Sequence, residues 1–273
     1  MILSSNIHTH STFCDGENTL EENVMKAIEL GFESIGFSSH AYTGFDFDEC
    51  GIKKENIDNY FNELERVKEK YKGRIKIFKG LELESRVSGD IRPTIDSRLD
   101  YTIGSVHMVK INNKYYDVDY TPDIAAKAIE LVSPLEYAKL YFEELASFAE
   151  DTPFDIVGHF DLITKFNEKK HLFSENEEYR NLALYYLERI AKTGKIFEVN
   201  TGAIKRGWKS IPYPAPFLLE RLNELGGKVI ITSDAHNKDA LDYAFNDALT
   251  IVKKAGFKKL SKLTEDGFVE FAI

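Results

Sequence analysis

Seven short apolar runs rich in β-branched residues recur along the chain, and stretches with helical periodicity separate most of them. This alternation favours an α/β fold with a parallel sheet, because parallel strands need long crossover connections that are usually helices. At 273 residues the chain has the size of one closed α/β barrel, so we expect a single domain over residues 1–273, with a doubly wound sheet as the alternative. The runs are ILSSNI, SIGFSS, KIFKGLEL, YTIGSV, DIVGH, IFEVN and KVIIT.

The helices between these runs are predicted from apolar spacing and from capping signals. In the segment 55–71, the apolar residues fall on one face of a helix. Thr19 and Glu22 form a capping box that predicts the start of another helix, and Gly31 closes it. The segment 109–122 alternates around an Asn-Asn turn and predicts a hairpin near the rim of the barrel. Further helices are expected near residues 134–150, 177–194, 216–225 and 238–255.

The composition disfavours several partners and settings. The formal net charge of −10 gives a surface that repels phosphate backbones, so we expect binding neither to nucleic acid nor to an acidic membrane. The two cysteines form no CxxC motif, and the chain has no secretory signal pattern and no long apolar run. These features favour a soluble protein of the reducing cytoplasm. The sequence carries no signal for an oligomeric state.

Six of the seven histidines end an apolar run. Chance does not explain this placement, because strand ends make up only about a tenth of such a chain. The exception is His171, in the polar stretch EKKHLFSEN, for which a structural role is the simpler interpretation. The six are His8, His10, His40, His107, His159 and His236.

Carboxylates occur at the same places as these histidines. Residues i and i+2 of a strand point to the same side, so His8 pairs with His10, and Asp234 pairs with His236. Because the C-terminal ends of parallel barrel strands share one rim, the histidines and acids are expected to converge there on a metal centre. Each residue taken alone also has a structural explanation, and Glu84 is equally well explained as a charged residue of the rim. The acids are Asp15, Glu82, Glu84, Asp161 and Asp234.

The motifs HTHS, GSVH, GHFD and SDAH, together with Asp15, His40 and Glu82, resemble those of the polymerase-and-histidinol-phosphatase (PHP) family of metal phosphoesterases. The resemblance extends over essentially the whole chain. It implies a distorted seven-stranded (β/α) barrel, similar to a TIM barrel, with a centre of three divalent transition-metal ions. Similarity to the histidinol-phosphate phosphatase branch lies in LDYTIGSVH, FDIVGHFDLITKFN, EVNTGAIKRG and ITSDAHNKDAL.

The ligand pattern of this family implies roles for nine residues. Glu82 would bridge the first ion and the second. Imidazole and carboxylate ligands suit zinc, iron and manganese alike, so the sequence does not choose between these metals. The first ion would be held by His8, His10, Glu82 and Asp234, the second by Glu82, His107 and His159, and the third by Asp15, His40 and His236.

The resemblance also implies a function, the hydrolysis of histidinol phosphate in histidine biosynthesis. Three divalent ions with three carboxylates leave a positively charged centre, which favours a small phosphomonoester dianion as substrate. Paired ions can activate a water molecule, so no covalent nucleophile is needed. Arg206 and Lys165, which follow strand ends, are expected to bind the phosphate, and Asp161 is expected to protonate the leaving alcohol. Tyr42 and Phe45 are expected to line the substrate pocket.

Three other functions are weighed against this one. A nucleotide or oligonucleotide phosphoesterase of the same family is disfavoured by the acidic composition. An amidohydrolase-type deacylase shares the HxH motif and a late aspartate, but it leaves Asp15, His40 and His236 without a role. A non-enzymatic metal-binding protein would show no metal-dependent turnover. The chain has no GxxxxGKS/T, GxGxxG or GxSxG motif, which disfavours nucleotide-triphosphate, dinucleotide and serine-hydrolase chemistry.

Overall fold

A curled sheet of parallel strands forms the centre of the fold. The computed structural model describes residues 3–273, so Ile2 of the first predicted run lies outside the described residues. Neighbouring strands in the sheet follow the order β1, β2, β3, β4, β7, β8 and β9, and each coincides with one predicted run. The predicted α/β class and the seven strands are confirmed. The strands are β1 (Ser5–Asn6), β2 (Ser34–Phe37), β3 (Lys76–Glu84), β4 (Tyr101–Ser105), β5 (Met108–Ile111), β6 (Lys114–Asp117), β7 (Ile156–Val157), β8 (Ile196–Asn200), β9 (Lys228–Thr232), β10 (Lys259–Thr264) and β11 (Gly267–Ala272).

The two edge strands of this sheet meet only beyond their C-terminal ends. Within residues 3–273 no ladder pairs β1 with β9, but Thr9 and Ala235 form a parallel bridge just after these strands. His10 N donates to Ala235 O at 2.9 Å, and Ala235 N donates to His8 O at 3.0 Å. The sheet is therefore nearly closed as a barrel, which agrees with the expected distorted (β/α) barrel.

Helices connect most of the strands and bury their apolar faces against the sheet. Leu64 and Leu187, for example, are fully buried in one core with the strand residues Ile35 and Phe197. None of the helices in the described part of the chain is long and apolar enough to cross a membrane. The helices are α1 (Leu20–Glu29), α2 (Ile57–Lys70), α3 (Pro122–Leu131), α4 (Pro134–Asp151), α5 (Asn167–Lys170), α6 (Glu177–Ala191), α7 (Gly202–Lys205), α8 (Pro216–Glu224) and α9 (Phe245–Lys254).

The predicted helix starts are mostly confirmed. At α1 the Thr19 side chain accepts a hydrogen bond from Glu22 N, and the Glu22 side chain accepts one from Thr19 N. The helix expected near 238–255 is wrong in its first half, because a 3₁₀ turn occupies Lys238–Ala240 and α9 begins only after Ala244. Ala244 has a φ of 57°, which is incompatible with a continuous right-handed helix. The sequence analysis did not predict α3.

An apolar layer fills the barrel toward the N-terminal ends of its strands. Tyr101 crosses this layer, and its hydroxyl donates to Ile7 O at 2.5 Å. The antiparallel hairpin of β10 and β11, which was not predicted, packs beside β9 and adds Leu263 to the layer. Polar side chains are therefore concentrated at the opposite end of the barrel. The layer consists of Ile7, Phe78, Tyr101, Ile103, Ile156, Ile196, Ile230 and Leu263.

Strands β5 and β6 form the hairpin predicted for residues 109–122. Asn112 and Asn113 at its tip have φ values of 50° and 62°, the backbone conformation that a two-residue hairpin turn requires and that Asn tolerates. Val118 N donates to His107 O at 2.9 Å, which ties the returning chain to the end of β4. The hairpin thus stands beside the C-terminal end of the barrel.

Candidate metal centre

The six histidines predicted from strand ends lie together at the C-terminal end of the barrel, beside a cavity of about 840 Å³. His10 is central among them. Its ring centroid lies 3.9 Å from that of His236, 4.4 Å from that of His40 and 5.2 Å from that of His8. His171, by contrast, caps α5 with a φ of 50° and lies outside the cluster, as expected. The strands therefore bring together residues from both ends of the chain.

The deepest part of the cluster contains polar atoms without hydrogen-bond partners. Among the described residues, His8 Nε2, His10 Nε2 and Glu82 Oε2 are buried and have no such partner. His8 Nε2 lies 3.2 Å from Glu82 Oε2, and His10 Nε2 lies 3.1 Å from Asp234 Oδ1. Buried polar atoms are nearly always satisfied, and a shared cation satisfies lone pairs that face one another. These donors therefore fit a divalent metal ion that accepts nitrogen and oxygen ligands.

Glu82 is the acid around which the histidines are arranged. It is 1% exposed, and its two carboxylate oxygens face different rings. Oε1 lies 3.0 Å from His159 Nε2 and 3.4 Å from His107 Nε2. Oε2 lies 3.2 Å from His8 Nε2 and 3.1 Å from His40 Nδ1. Two oxygens that face two groups of rings are suited to bridging two ions.

Asp15 faces the remaining rings from the loop that follows β1. Its Oδ2 lies 3.2 Å from His236 Nε2, and its Oδ1 lies 3.7 Å from both His40 Nε2 and His10 Nδ1. His40 thus stands between Asp15 and Glu82. Three overlapping groups have candidate ligand atoms within 4.8 Å of one another: His8, His10 and Glu82; His40, Glu82 and His107; His10, Asp15, His40 and His236.

The amino-acid sequence of this chain matches a known family. A model of the PHP domain matches residues 6–202, which is well over half of the chain. The chain belongs to the PHP family. The matched range contains seven of the nine residues predicted to bind metal, all except Asp234 and His236.

Several similar proteins are named histidinol-phosphatases. The chain is 29% identical over 276 residues to a protein of Schizosaccharomyces pombe named "Probable histidinol-phosphatase", with 95% of this chain and 89% of that protein covered. It is 28% identical over 257 residues to the histidinol-phosphatase of Bacillus subtilis, with 87% and 95% covered. The histidinol phosphate phosphatase of Lactococcus lactis, crystallised with zinc, L-histidinol and phosphate, has a TM-score of 0.75 at 23% identity, with 97% of this chain and 98% of that chain covered. This likeness supports the barrel fold.

Two further buried acids contact the Nδ1 atoms of histidines in the candidate metal centre. Glu84, at the end of β3, accepts a hydrogen bond from His107 N at 3.1 Å and lies 3.0 Å from His107 Nδ1. Glu198, in the middle of β8, contacts His8 Nδ1. The sequence leaves the role of Glu84 open, and Glu198 was not predicted. The available signal for Glu198 was a single acid inside the apolar run IFEVN, whose residues are all buried.

Both cations predicted to bind phosphate line the cavity, but each also pairs with an acid. Arg206 Nη2 lies 2.8 Å from Asp234 Oδ2. Lys165 Nζ lies 2.9 Å from Asp119 Oδ2 and donates to Asp119 O at 2.7 Å. Burial by itself would raise the pKa of Asp119, but Lys165 and His107 lower it to about 2. Asp119 was not predicted, because only the folded chain brings the hairpin segment next to Lys165.

The structure does not place Asp161 among the described residues that line the cavity, so its expected role in protonating the leaving alcohol stays a prediction without support from this geometry. Within the described chain Asp161 is not among the residues that line the cavity, and its Oδ2 accepts a hydrogen bond from Ala215 N at 3.1 Å. Burial raises its pKa to about 6. The chain enters a 3₁₀ turn at Leu162–Thr164, so Asp161 no longer follows the alternation of a strand.

The aromatic lining of the cavity also differs from the expectation. Of the described aromatic residues, Phe47 and Tyr120 line the cavity, whereas Tyr42 and Phe45 do not. Phe45 instead stacks against Phe47, with 4.9 Å between their ring centroids. Phe47 keeps 55% of its surface exposed, so its ring is available to a bound molecule. Phe45 therefore supports the lining without forming it.

In the absence of metal ions, neighbouring carboxylates raise the pKa values of two histidines of the candidate metal centre. Burial by itself would lower the pKa of His107, but Glu82 and Glu84 raise it to about 10. Burial also opposes the charge of His8, yet neighbouring carboxylates raise its pKa above the ordinary value. The neighbouring carboxylates therefore favour the protonated form of both rings, and a metal ion has to compete with these protons.

We expect zinc binding at neutral pH to release protons from His8 and His107. Because both pKa values are raised, these protons are bound at low pH and are lost only as the pH rises, so zinc affinity should increase with pH up to about pH 10, the pKa of His107. Calorimetric titration with zinc, repeated in buffers of different ionisation enthalpy, counts the protons released. Zinc binding that releases no proton at neutral pH would contradict this expectation.

Proposed function

We propose that this PHP protein is a metal-dependent histidinol-phosphate phosphatase that hydrolyses L-histidinol phosphate to L-histidinol and phosphate in histidine biosynthesis. The observation that carries the proposal is the buried set of facing, unpartnered ligand atoms at His8, His10 and Glu82. That set occurs in a chain that aligns over most of its length with proteins named histidinol-phosphatase. The names of the aligned proteins indicate the substrate, and the buried ligand atoms indicate that the reaction depends on metal.

The proposed cofactor is a set of three divalent ions, for which zinc, iron and manganese are all chemically suitable. When bound, such ions activate water and stabilise negative charge on the reacting phosphate. Glu82 is proposed to hold two of them, since its two oxygens face separate groups of rings. The proposed ligands are His8, His10, Glu82 and Asp234 for the first ion, Glu82, His107 and His159 for the second, and Asp15, His40 and His236 for the third.

Three basic side chains along the cavity wall are proposed to attract and orient the phosphate. Arg206 and Lys165 are held in place by Asp234 and Asp119, so their positions are fixed before substrate binds. Lys205 also lines the cavity, and it has no ion-pair partner among residues 3–273. The paired cations are already partly neutralised, so Lys205 is the cation most available to an incoming phosphate.

The remainder of the cavity suits a small cationic alcohol. Phe47 presents an exposed aromatic face, and such a face attracts an ammonium or imidazolium group. The many acids of the lining would repel a nucleic-acid strand, which disfavours the alternative of a nucleotide or oligonucleotide phosphoesterase. We propose that no nucleic acid binds here. The acids of the lining apart from the proposed ligands are Glu17, Asp48, Glu49, Glu84, Asp117, Asp119 and Asp239.

A substrate panel tests the proposed function. With metal-loaded protein, histidinol phosphate should exceed glycerol phosphate, a nucleoside monophosphate and a simple phosphodiester in kcat/KM by at least about 100-fold, which a few matched polar contacts can provide. The positive centre explains the preference for a monoester dianion over a diester, and the acidic, aromatic lining explains the preference for a cationic alcohol. Equal or faster turnover of the nucleotide or the diester would refute the proposed substrate and leave the metal centre standing.

A further inference from the structure

Glu198 is a fully buried acid inside the barrel that accepts hydrogen bonds from four donors. It is 0% exposed. Thr232 Oγ1 donates to its Oε1 at 2.6 Å, and His8 Nδ1 contacts the same oxygen. His159 N donates to its Oε2 at 2.7 Å, and Asn200 Nδ2 donates to the same oxygen at 2.9 Å. A carboxylate has about four lone-pair sites, so all of them are used.

These contacts determine which nitrogen of His8 carries the proton. An ionised carboxylate is an acceptor only, so His8 Nδ1 has to be the donor in the pair with Glu198. In a neutral ring the other nitrogen, Nε2, then keeps its lone pair. His8 Nε2 faces Glu82 Oε2 at 3.2 Å and Asp234 Oδ1 at 3.6 Å, and it is one of the buried atoms without a hydrogen-bond partner. The lone pair is therefore presented to the proposed metal centre.

The same carboxylate connects the strands that carry other proposed ligands. His159 follows β7, and its backbone N–H is held by Glu198. Thr232 ends β9, directly before the loop that carries Asp234. Asn200, on the same strand as Glu198, accepts a hydrogen bond from Gly202 N at 2.8 Å. Glu198 thus sets the relative positions of β1, β7 and β9 at the ends where ligands emerge.

We propose that Glu198 is a positioning residue of the metal centre, which selects the Nδ1–H tautomer of His8 and orients its Nε2 toward the metal. The inference rests on the proposed metal centre but not on the identity of the substrate. Carboxylates that hold the second nitrogen of a ligand histidine usually strengthen metal binding, and their loss costs about 10–100-fold in affinity. Glu198 itself is not among the described residues that line the cavity.

The substitution Glu198→Gln separates this role from mere packing, because glutamine has nearly the same shape. The NH₂ group of a glutamine cannot accept a hydrogen bond. Each oxygen of Glu198 accepts from two donors, so one of these two pairs of donors would face another donor. If the NH₂ faces His8, the ring has to accept through Nδ1 and carry its proton on Nε2, the tautomer that cannot bind the metal there. Thr232→Val is the matched control, because it removes one donor to Glu198 and leaves the carboxylate and the ring unchanged.

The experiment measures zinc affinity by competition with a chromophoric chelator and records the absorption spectrum of the cobalt-substituted site. We expect Glu198→Gln to weaken the binding of at least one ion by about 10–100-fold and to alter the cobalt spectrum. We expect Thr232→Val to change affinity by less than about tenfold, below that range. Wild-type affinity and spectrum in Glu198→Gln would overturn the proposal, as would an equal loss in both variants.

A measurement on the unmodified chain covers the case in which the variant does not fold. Nitrogen-15 NMR of the zinc-loaded protein should show the proton of His8 on Nδ1 and zinc on Nε2. A proton on Nε2, or zinc on Nδ1, would overturn the proposal. None of these measurements uses substrate. A chain that shows the expected tautomer but does not hydrolyse histidinol phosphate would therefore refute the proposed substrate and leave the role of Glu198 supported.

Discussion

The variant Glu82→Gln is expected to lose more than about 100-fold in kcat for histidinol phosphate, together with bound metal. Losses of about 10–100-fold are typical when a residue behind a metal ligand is changed, and Glu82 is itself a proposed ligand of two ions. Its Oε1 lies 3.0 Å from His159 Nε2, and its Oε2 lies 3.2 Å from His8 Nε2. A neutral amide cannot balance the charge of two cations, and its NH₂ group would point at one group of ligand nitrogens.

Glu84→Gln is the matched comparison for this variant. Glu84 lies two residues further along the same strand and is also buried, but among the rings of the described site it contacts only His107. Glu84→Gln should reduce kcat by about 10–100-fold, because Glu84 contacts only one proposed ligand, His107, and is not itself a proposed ligand. Both variants should be assayed for kcat and for metal equivalents per chain by elemental analysis. If Glu82→Gln keeps the wild-type rate and metal content, Glu82 is not a bridging ligand.

Complete removal of metal is expected to abolish turnover. The purified protein should carry two to three equivalents of transition metal, as the three overlapping groups of candidate ligands indicate. Prolonged dialysis against a chelator should reduce activity to background, since the bound ions are proposed to activate the attacking water. Re-addition of zinc should restore it. The measurement is the rate of phosphate release from histidinol phosphate, plotted against bound metal.

Two controls make the result of metal removal specific. Protein dialysed against the same chelator already saturated with zinc should keep its activity, which excludes damage by the chelator itself. Circular dichroism of the metal-free protein should show that the barrel is still folded before zinc is returned. A metal-free protein that is folded and fully active would refute the metal centre and the proposed function together.

The cluster of histidines at one end of the barrel could be predicted because its signal is local. Each of the six histidines follows an apolar run, and the topology of a parallel barrel then brings the strand ends to one rim. His8 and His236 are far apart in sequence, yet both end such runs and both lie in the cluster beside His10. The position of these side chains depends on the strand just before them, and that strand was recognisable.

The supporting residues could not be predicted from the sequence, because their roles depend on contacts between distant segments. Asp161 follows His159 by two residues, but the strand has already ended and a 3₁₀ turn directs its side chain toward Ala215. Asp119 gains its role only when the hairpin segment meets Lys165. The alternation of side-chain direction applies within a strand and no longer predicts that direction one or two residues beyond its end.

The bridge between Thr9 and Ala235 affects the order of events during protein synthesis. The N-terminal part of a chain leaves the ribosome first, so His8 and His10 emerge well before Asp234 has been made. Until the segment around Ala235 arrives, the barrel has an open seam and the proposed ligand set is incomplete. Completion of the proposed ligand set therefore has to wait for the segment that carries Asp234, and a nascent chain arrested before Asp234 has His8 and His10 without that partner.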